Sequence, residues 1–209
     1  MNTVIRKLRR YTDLSSLFAI LRNREITLLS PSSWDDRNDR NLMDAYKRTN
    51  KLTTLLALCF SEAGETYHHW KVFAPGNSGV CISFNRTQLI NAIPSKGFGH
   101  SNMNYKTFSE LEASAMKPEE LPFTKRAAYK DEKEYRVIYQ SKTKALAVNS
   151  FSIPLSAIEY ITLSPWLPPS LGDVVEQVVC SIDGCADMDI GQSQLIESSA
   201  WTQLASEYA

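Results

Sequence analysis

The apolar positions of the chain switch between two periods, and the switches outline its elements. Leu14, Leu17, Phe18 and Leu21 keep the i, i+3, i+4, i+7 spacing of one helix face, and Asp13 stands where an N-cap belongs. Residues 4–11 before it read as a strand studded with basic side chains. Residues 26–29 form a short strand, and 30–34 a loop. Residues 35–51 are so highly charged that they read as a solvated helix or an excursion over a site. Residues 52–60 read as a buried strand, 67–73 as a short aromatic helix, 79–84 as a strand and 86–93 as a helix. Loop and strand fill 94–108, followed by two helical stretches at 108–116 and 118–129. Residues 132–139 are the strongest strand pattern, with 148–153 and 158–163 as expected partners. A helix over 168–179, a strand and a short tail complete the chain. The order predicts an α+β fold: a single domain with a central, mostly antiparallel split sheet flanked by helices.

Composition narrows this little. The 209 residues are 43% hydrophobic and 22% charged, which excludes a largely disordered chain. Lys plus Arg and Asp plus Glu are each 23, so no net charge advertises a polyanionic partner. Locally, Arg6, Lys7, Arg9 and Arg10 make a basic cluster. No apolar run reaches the roughly 18–20 residues of a membrane span, and residues 1–13 lack the pattern of a secretory leader. Cys59, Cys81, Cys180 and Cys185 lack metal-ligand spacing, and Cys59 and Cys81 sit in apolar runs. A reduced, cytoplasmic protein without membrane attachment or structural metal is expected.

Dinucleotide-fold and P-loop glycine motifs, a nucleophile elbow and a zincin motif are all absent. The most informative chemistry lies in Tyr129-Lys130-Asp131-Glu132-Lys133-Glu134-Tyr135-Arg136. On a strand through it, Glu132, Glu134 and Arg136 share one face. Two adjacent carboxylates repel, and one pKa rises unless a cation intervenes. The simplest reading pairs them with Arg136 or a neighbouring lysine; the other makes them a catalytic pair.

Several motifs occur in a telling order: Leu8-Arg9-Arg10-Tyr11, Ser30-Pro31-Ser32-Ser33-Trp34, Cys59-Phe60-Ser61-Glu62, Trp70 through Gly79-Val80-Cys81-Ile82-Ser83-Phe84, and Glu132-Lys133-Glu134-Tyr135-Arg136. Together, over about residues 8–180, they resemble the bacterial family known as domain of unknown function 2971. Three departures stand out. Lys71-Val72-Phe73 replaces the family's Ser-His-Tyr, and Asp35-Asp36-Arg37-Asn38-Asp39 replaces its Asn-Asp-Pro-Phe-Asp. Thr12 stands where the family has Arg.

The order is also similar to the Arg–Ser–Glu layout of mono-ADP-ribosyltransferases. That resemblance implies NAD as substrate. Arg10 would grip its pyrophosphate, Ser61 would hold the ribose or order the site, and Glu134 would stabilise the charge that develops as nicotinamide leaves. Glu132 would face the acceptor, and Tyr11 or Trp70 would stack on nicotinamide. Two other readings remain. Asp131-Glu132-Lys133, with Asp35, Asp36 or Asp39, fits the acid-x-Lys pattern of magnesium-dependent nucleases. A non-catalytic domain would instead use Trp34 and Trp70 to hold a ligand or partner.

Overall fold

The computed structural model describes residues 7–208. Its first half contains β1 (Lys7–Asp13), α1 (Leu14–Asn23), β2 (Glu25–Leu28), α2 (Arg37–Thr49), β3 (Thr54–Ser61), α3 (Tyr67–Phe73), β4 (Gly79–Asn85) and α4 (Arg86–Ala92). Then come β5 (Phe98–Asn102), β6 (Asn104–Lys106), α5 (Phe108–Ala113), β7 (Thr124–Arg126), β8 (Glu134–Ser141), β9 (Asn149–Ser152), β10 (Ile158–Leu163), α6 (Pro169–Cys180), β11 (Ile190–Gln192) and α7 (Ser199–Ser206). The mixed class, with mostly antiparallel strands and flanking helices, is the one expected. Residues 4–6, including Arg6, lie outside the described residues.

The chain forms two compact units, each built from separate segments. The first draws on Met1–Arg24, Gly64–Gln88 and Pro154–Ala209, the second on Glu25–Ala63 and Leu89–Ile153. In the first unit the strand order is β11-β10-β4-β1, antiparallel except for the β10–β11 pair. Strand β4 is central there, and Val80, Cys81, Ile82, Ser83 and Phe84 are all buried. Helix α1 starts where Asp13 accepts the Ser16 N–H at 2.8 Å, and it buries Leu17, Ile20 and Leu21.

In the second unit β8 lies between β3 and β5, antiparallel to both. Strand β9 pairs with β2, and β6 runs parallel to β7. The expected partners of the 132–139 strand are therefore wrong: β9 joins β2, and β10 joins β4 and β11. Strand pairing is set by tertiary packing, which local alternation does not encode.

Two more expectations change. Residues 118–129 are not a helix but a 3-10 turn (Pro118–Phe123), the short strand β7 and the start of a second 3-10 turn (Ala127–Glu132). Pro122, in the interior of that stretch, lacks the N–H that an α-helix needs. The tail likewise holds a helix, α7, whose residues are all exposed.

Gly79 marks a tight approach in the first unit. A Cβ there would collide with the Ala74 carbonyl oxygen and come within 3.2 Å of the Ala74 Cβ. Because backbone cannot move as a side-chain tip can, Gly79→Ala is expected to cost about 1–3 kcal/mol, read from urea-unfolding midpoints.

Candidate active site

Alternation along β8 puts Glu134, Arg136 and Ile138 on one face. Their register partners on β3 are Ser61, Cys59 and Ala57. These three small side chains leave room for a long carboxylate and a guanidinium, which α2 then covers. Residues 35–51 were expected as a solvated helix or an excursion over a site; the inward stripe of α2 is Asp39, Met43 and Tyr46, at i, i+4, i+7. Met43, Tyr46, Leu55, Ala57 and Ile138 form one apolar cluster, and Asp39 continues that stripe toward Arg136. The helix is amphipathic, and its buried face carries one charge.

Arg136 is fully buried and almost every donor is used. Nη1 and Nη2 donate to the two Asp39 oxygens at 2.9 and 2.6 Å, and Nε donates to Glu134 Oε1 at 2.7 Å. Nη1 also donates to the Pro122 carbonyl at 2.9 Å, and the guanidinium lies 4.7 Å from the centre of the Trp34 ring. Lys125, on β7, is the second cation. Its ammonium donates to Glu132 at 2.6 Å and to Glu134 Oε2 at 3.1 Å, with Asp39 at 3.9 Å.

Two cations thus face three buried carboxylates, and the carboxylates are not equivalent. Burial works against the charge on Glu134, but Arg136 and Lys125 overcome it and hold the carboxyl down at about 2. Burial pushes Asp39 up against the pull of Arg136, and pushes Glu132 up against that of Lys125. The result is one firmly ionised carboxylate beside two that take a proton more readily. Tyr105 supports the pair: its hydroxyl accepts the Glu134 N–H at 2.8 Å, and burial raises its own pKa to about 12.

Glu132 reaches this cluster by a route that differs from the expected one. It closes a 3-10 turn, and Lys133 follows with φ of 44°, a left-handed conformation that separates Glu132 from the strand. Ser61 secures that turn. Its hydroxyl donates to the Glu132 carbonyl at 2.6 Å and accepts the Ala63 N–H at 3.0 Å. In the acid-x-Lys stretch Asp131 and Lys133 are exposed and Glu132 is buried. Lys125 occupies the position among the carboxylates that a cation would take, and no His, Cys, Asp and Glu group suited to a metal occurs among the described residues.

Arg10, Tyr11 and Trp70 belong to the first unit. Arg10 is half-buried on β1 opposite Ile82, and Tyr11 follows opposite Cys81. The Tyr11 ring stacks on His69 at 5.3 Å and meets Trp70 edge-on at 5.3 Å. Trp70 is fully buried, and its Nε1 donates to Glu65 at 2.7 Å. It is therefore a wall that fixes Tyr11, with no face open to nicotinamide, and its expected stacking role is corrected. One face of the partly buried Trp34 ring is covered by Arg136. His69 is buried and bonded through Nδ1 to the Thr66 hydroxyl at 2.5 Å.

Sequence reasoning missed Asp39 as the partner of Arg136 and missed Lys125 altogether. The i, i+4, i+7 run of Asp39, Met43 and Tyr46 was the available signal for the first. Nothing in the local pattern marks Lys125.

Residues 69–137 match the family model described as a protein of unknown function (DUF2971). That span holds Trp70, Lys125, Glu132, Glu134 and Arg136. No curated protein matches the chain. Among solved structures, Thermus sp. 2.9 DarT in complex with NAD+ aligns over 93% of this chain and 98% of its own, with 11% identity and a TM-score of 0.47. The same protein in complex with carba-NAD+ aligns over 91% and 97% (10% identity, TM-score 0.48), and with ADP-ribosylated ssDNA over 91% and 95% (12% identity, TM-score 0.46). At such identities and scores these likenesses carry no argument about activity.

The buried cluster makes a sharp energetic prediction. Asp39→Ala leaves the Arg136 guanidinium short of a bidentate partner and is expected to cost about 3–5 kcal/mol in urea unfolding. Adding Arg136→Met removes the stranded charge and is expected to recover part of that loss.

Proposed function

We propose that the chain is an NAD-using, ADP-ribosyltransferase-like enzyme, transferring ADP-ribose to an acceptor or to water. One observation carries the reading: Glu134, the register partner of Ser61, is held ionised by two buried cations. A fixed negative charge of this kind serves a reaction in which positive charge develops on a sugar carbon. The ribose–nicotinamide bond breaks with its electron pair going to the nicotinamide nitrogen. The anomeric carbon then carries oxocarbenium character, which Glu134 stabilises. An acceptor oxygen or nitrogen, or water, forms the new bond and gives up its proton.

Glu132 is suited to take that proton, because burial has raised its pKa. Lys125 joins the two carboxylates and keeps their spacing fixed. In this reading Ser61 positions the Glu132 turn.

The test is NAD itself. Purified protein is expected to bind NAD in calorimetry and to release nicotinamide slowly. Glu134→Gln is expected to lower turnover by about 10²–10³ while the circular dichroism spectrum stays that of the folded protein. Glu132→Gln, further from the Arg136 bonds, serves as the second variant and should lower turnover with little change in NAD affinity. Absence of NAD binding at millimolar concentration would overturn the reading.

A further inference from the structure

A second site lies wholly within the first unit, where the end of α1 meets the turn after α6. A cavity of about 520 Å³ is lined there by Arg22, Arg24, Ser181, Ile182 and Asp183. Small-molecule sites commonly enclose about 300–1,000 Å³. From its lining we infer that this cavity binds the phosphoryl group of a small phosphate ester.

The argument rests on how the two arginines are held. Arg24 follows the last residue of α1 with φ of 54° and ψ of 38°. That left-handed position usually belongs to glycine, so a side chain there is kept at some backbone cost. The guanidinium then crosses to the α6 turn, where Nη2 donates to Asp183 Oδ2 at 2.7 Å. Gly184 permits the crossing: a Cβ there would stand 3.0 Å from a Leu155 methyl and 3.4 Å from Arg24 Nη2. Arg22, in the last turn of α1, is exposed and forms no ion pair among the described residues.

Asp183 therefore acts as a built-in stand-in for an anion. Its side chain is 97% exposed, so its bond to Arg24 competes with water and contributes little to stability. One carboxylate satisfies one arginine and leaves the charge of the other uncompensated. A phosphoryl dianion offers three oxygens and a second charge, enough to engage both guanidinia in charge-assisted hydrogen bonds. Ser181 stands at the rim, its hydroxyl donating to the Val178 carbonyl at 2.7 Å. Ile182 and the arginine methylenes give an apolar wall for an organic group, for which the cavity has room beyond the phosphate itself.

The probes are inorganic phosphate, ribose 5-phosphate and ribose, each measured by thermal shift and calorimetry against sodium chloride at equal ionic strength. Phosphate should raise the melting midpoint, and ribose 5-phosphate should bind more tightly than phosphate, with ribose inert. Arg22→Gln should weaken phosphate binding about tenfold. Arg24→Gly, which suits the left-handed backbone, should keep the fold and lose the phosphate response. Asp183→Asn removes the competing carboxylate and should tighten binding roughly threefold. A phosphate response no larger than that of chloride, or one unchanged in Arg22→Gln and Arg24→Gly, would overturn the site. Equal affinity for phosphate and ribose 5-phosphate would overturn the ester as its ligand. None of these readings involves NAD turnover, so they stand or fall apart from the function proposed above.

Discussion

A guanidinium stripped of water inside a protein is tolerable only if its donors are met, and Arg136 sets that condition for the second unit. Its bonds reach α2 through Asp39, its own strand through Glu134, and the turn before β7 through Pro122. Three segments distant in sequence are thereby fixed to one plane of five N–H groups. The small β3 residues Ala57, Cys59 and Ser61 make space for this plane, and Trp34 closes it on one side. A larger side chain at Cys59, the register partner of Arg136, would press directly on the guanidinium.

What the network does to Glu134 follows from the same geometry. A buried glutamate left alone would be neutral near physiological pH; beside Arg136 and Lys125 it stays charged. Its folded-state pKa lies below the ordinary glutamate value, so the folded form binds fewer protons than the unfolded form between about pH 2 and the normal 4.5. This carboxylate therefore contributes fully to stability above that window and loses its contribution as the pH falls through it. Asp39 and Glu132 are shifted upward, so their contributions run in the opposite sense and soften the acid limb.

The parts of the molecule that could be read from sequence are those fixed by local rules. The α1 stripe with its Asp13 cap, the short helix at Tyr67–Phe73 and the buried β4 run follow from periodicity and capping. So does the sharing of one β8 face by Glu134 and Arg136. Glu132 was placed on that face by extending the strand two residues too far, and the left-handed Lys133 was not foreseeable from residue type. The simpler reading of the acidic pair, compensation by Arg136 or a neighbouring lysine, had one cation where the structure has both; Lys125 itself could not be named. It meets the carboxylates only after 3-10 turns and β7 bring it there, in a stretch whose proline pattern had been read as a helix. Long-range charge pairing of this kind leaves no periodic trace.

The account turns on whether Glu134 is ionised by its surroundings. The direct measurement is a carbon-13 NMR titration of glutamate side-chain carboxyls, with Glu134 assigned through Glu134→Gln. A midpoint near 2 is predicted for Glu134, well below the ordinary glutamate value. A midpoint at or above that ordinary value would show a carboxyl that burial has neutralised, and would contradict both the electrostatic account and the catalytic role built on it.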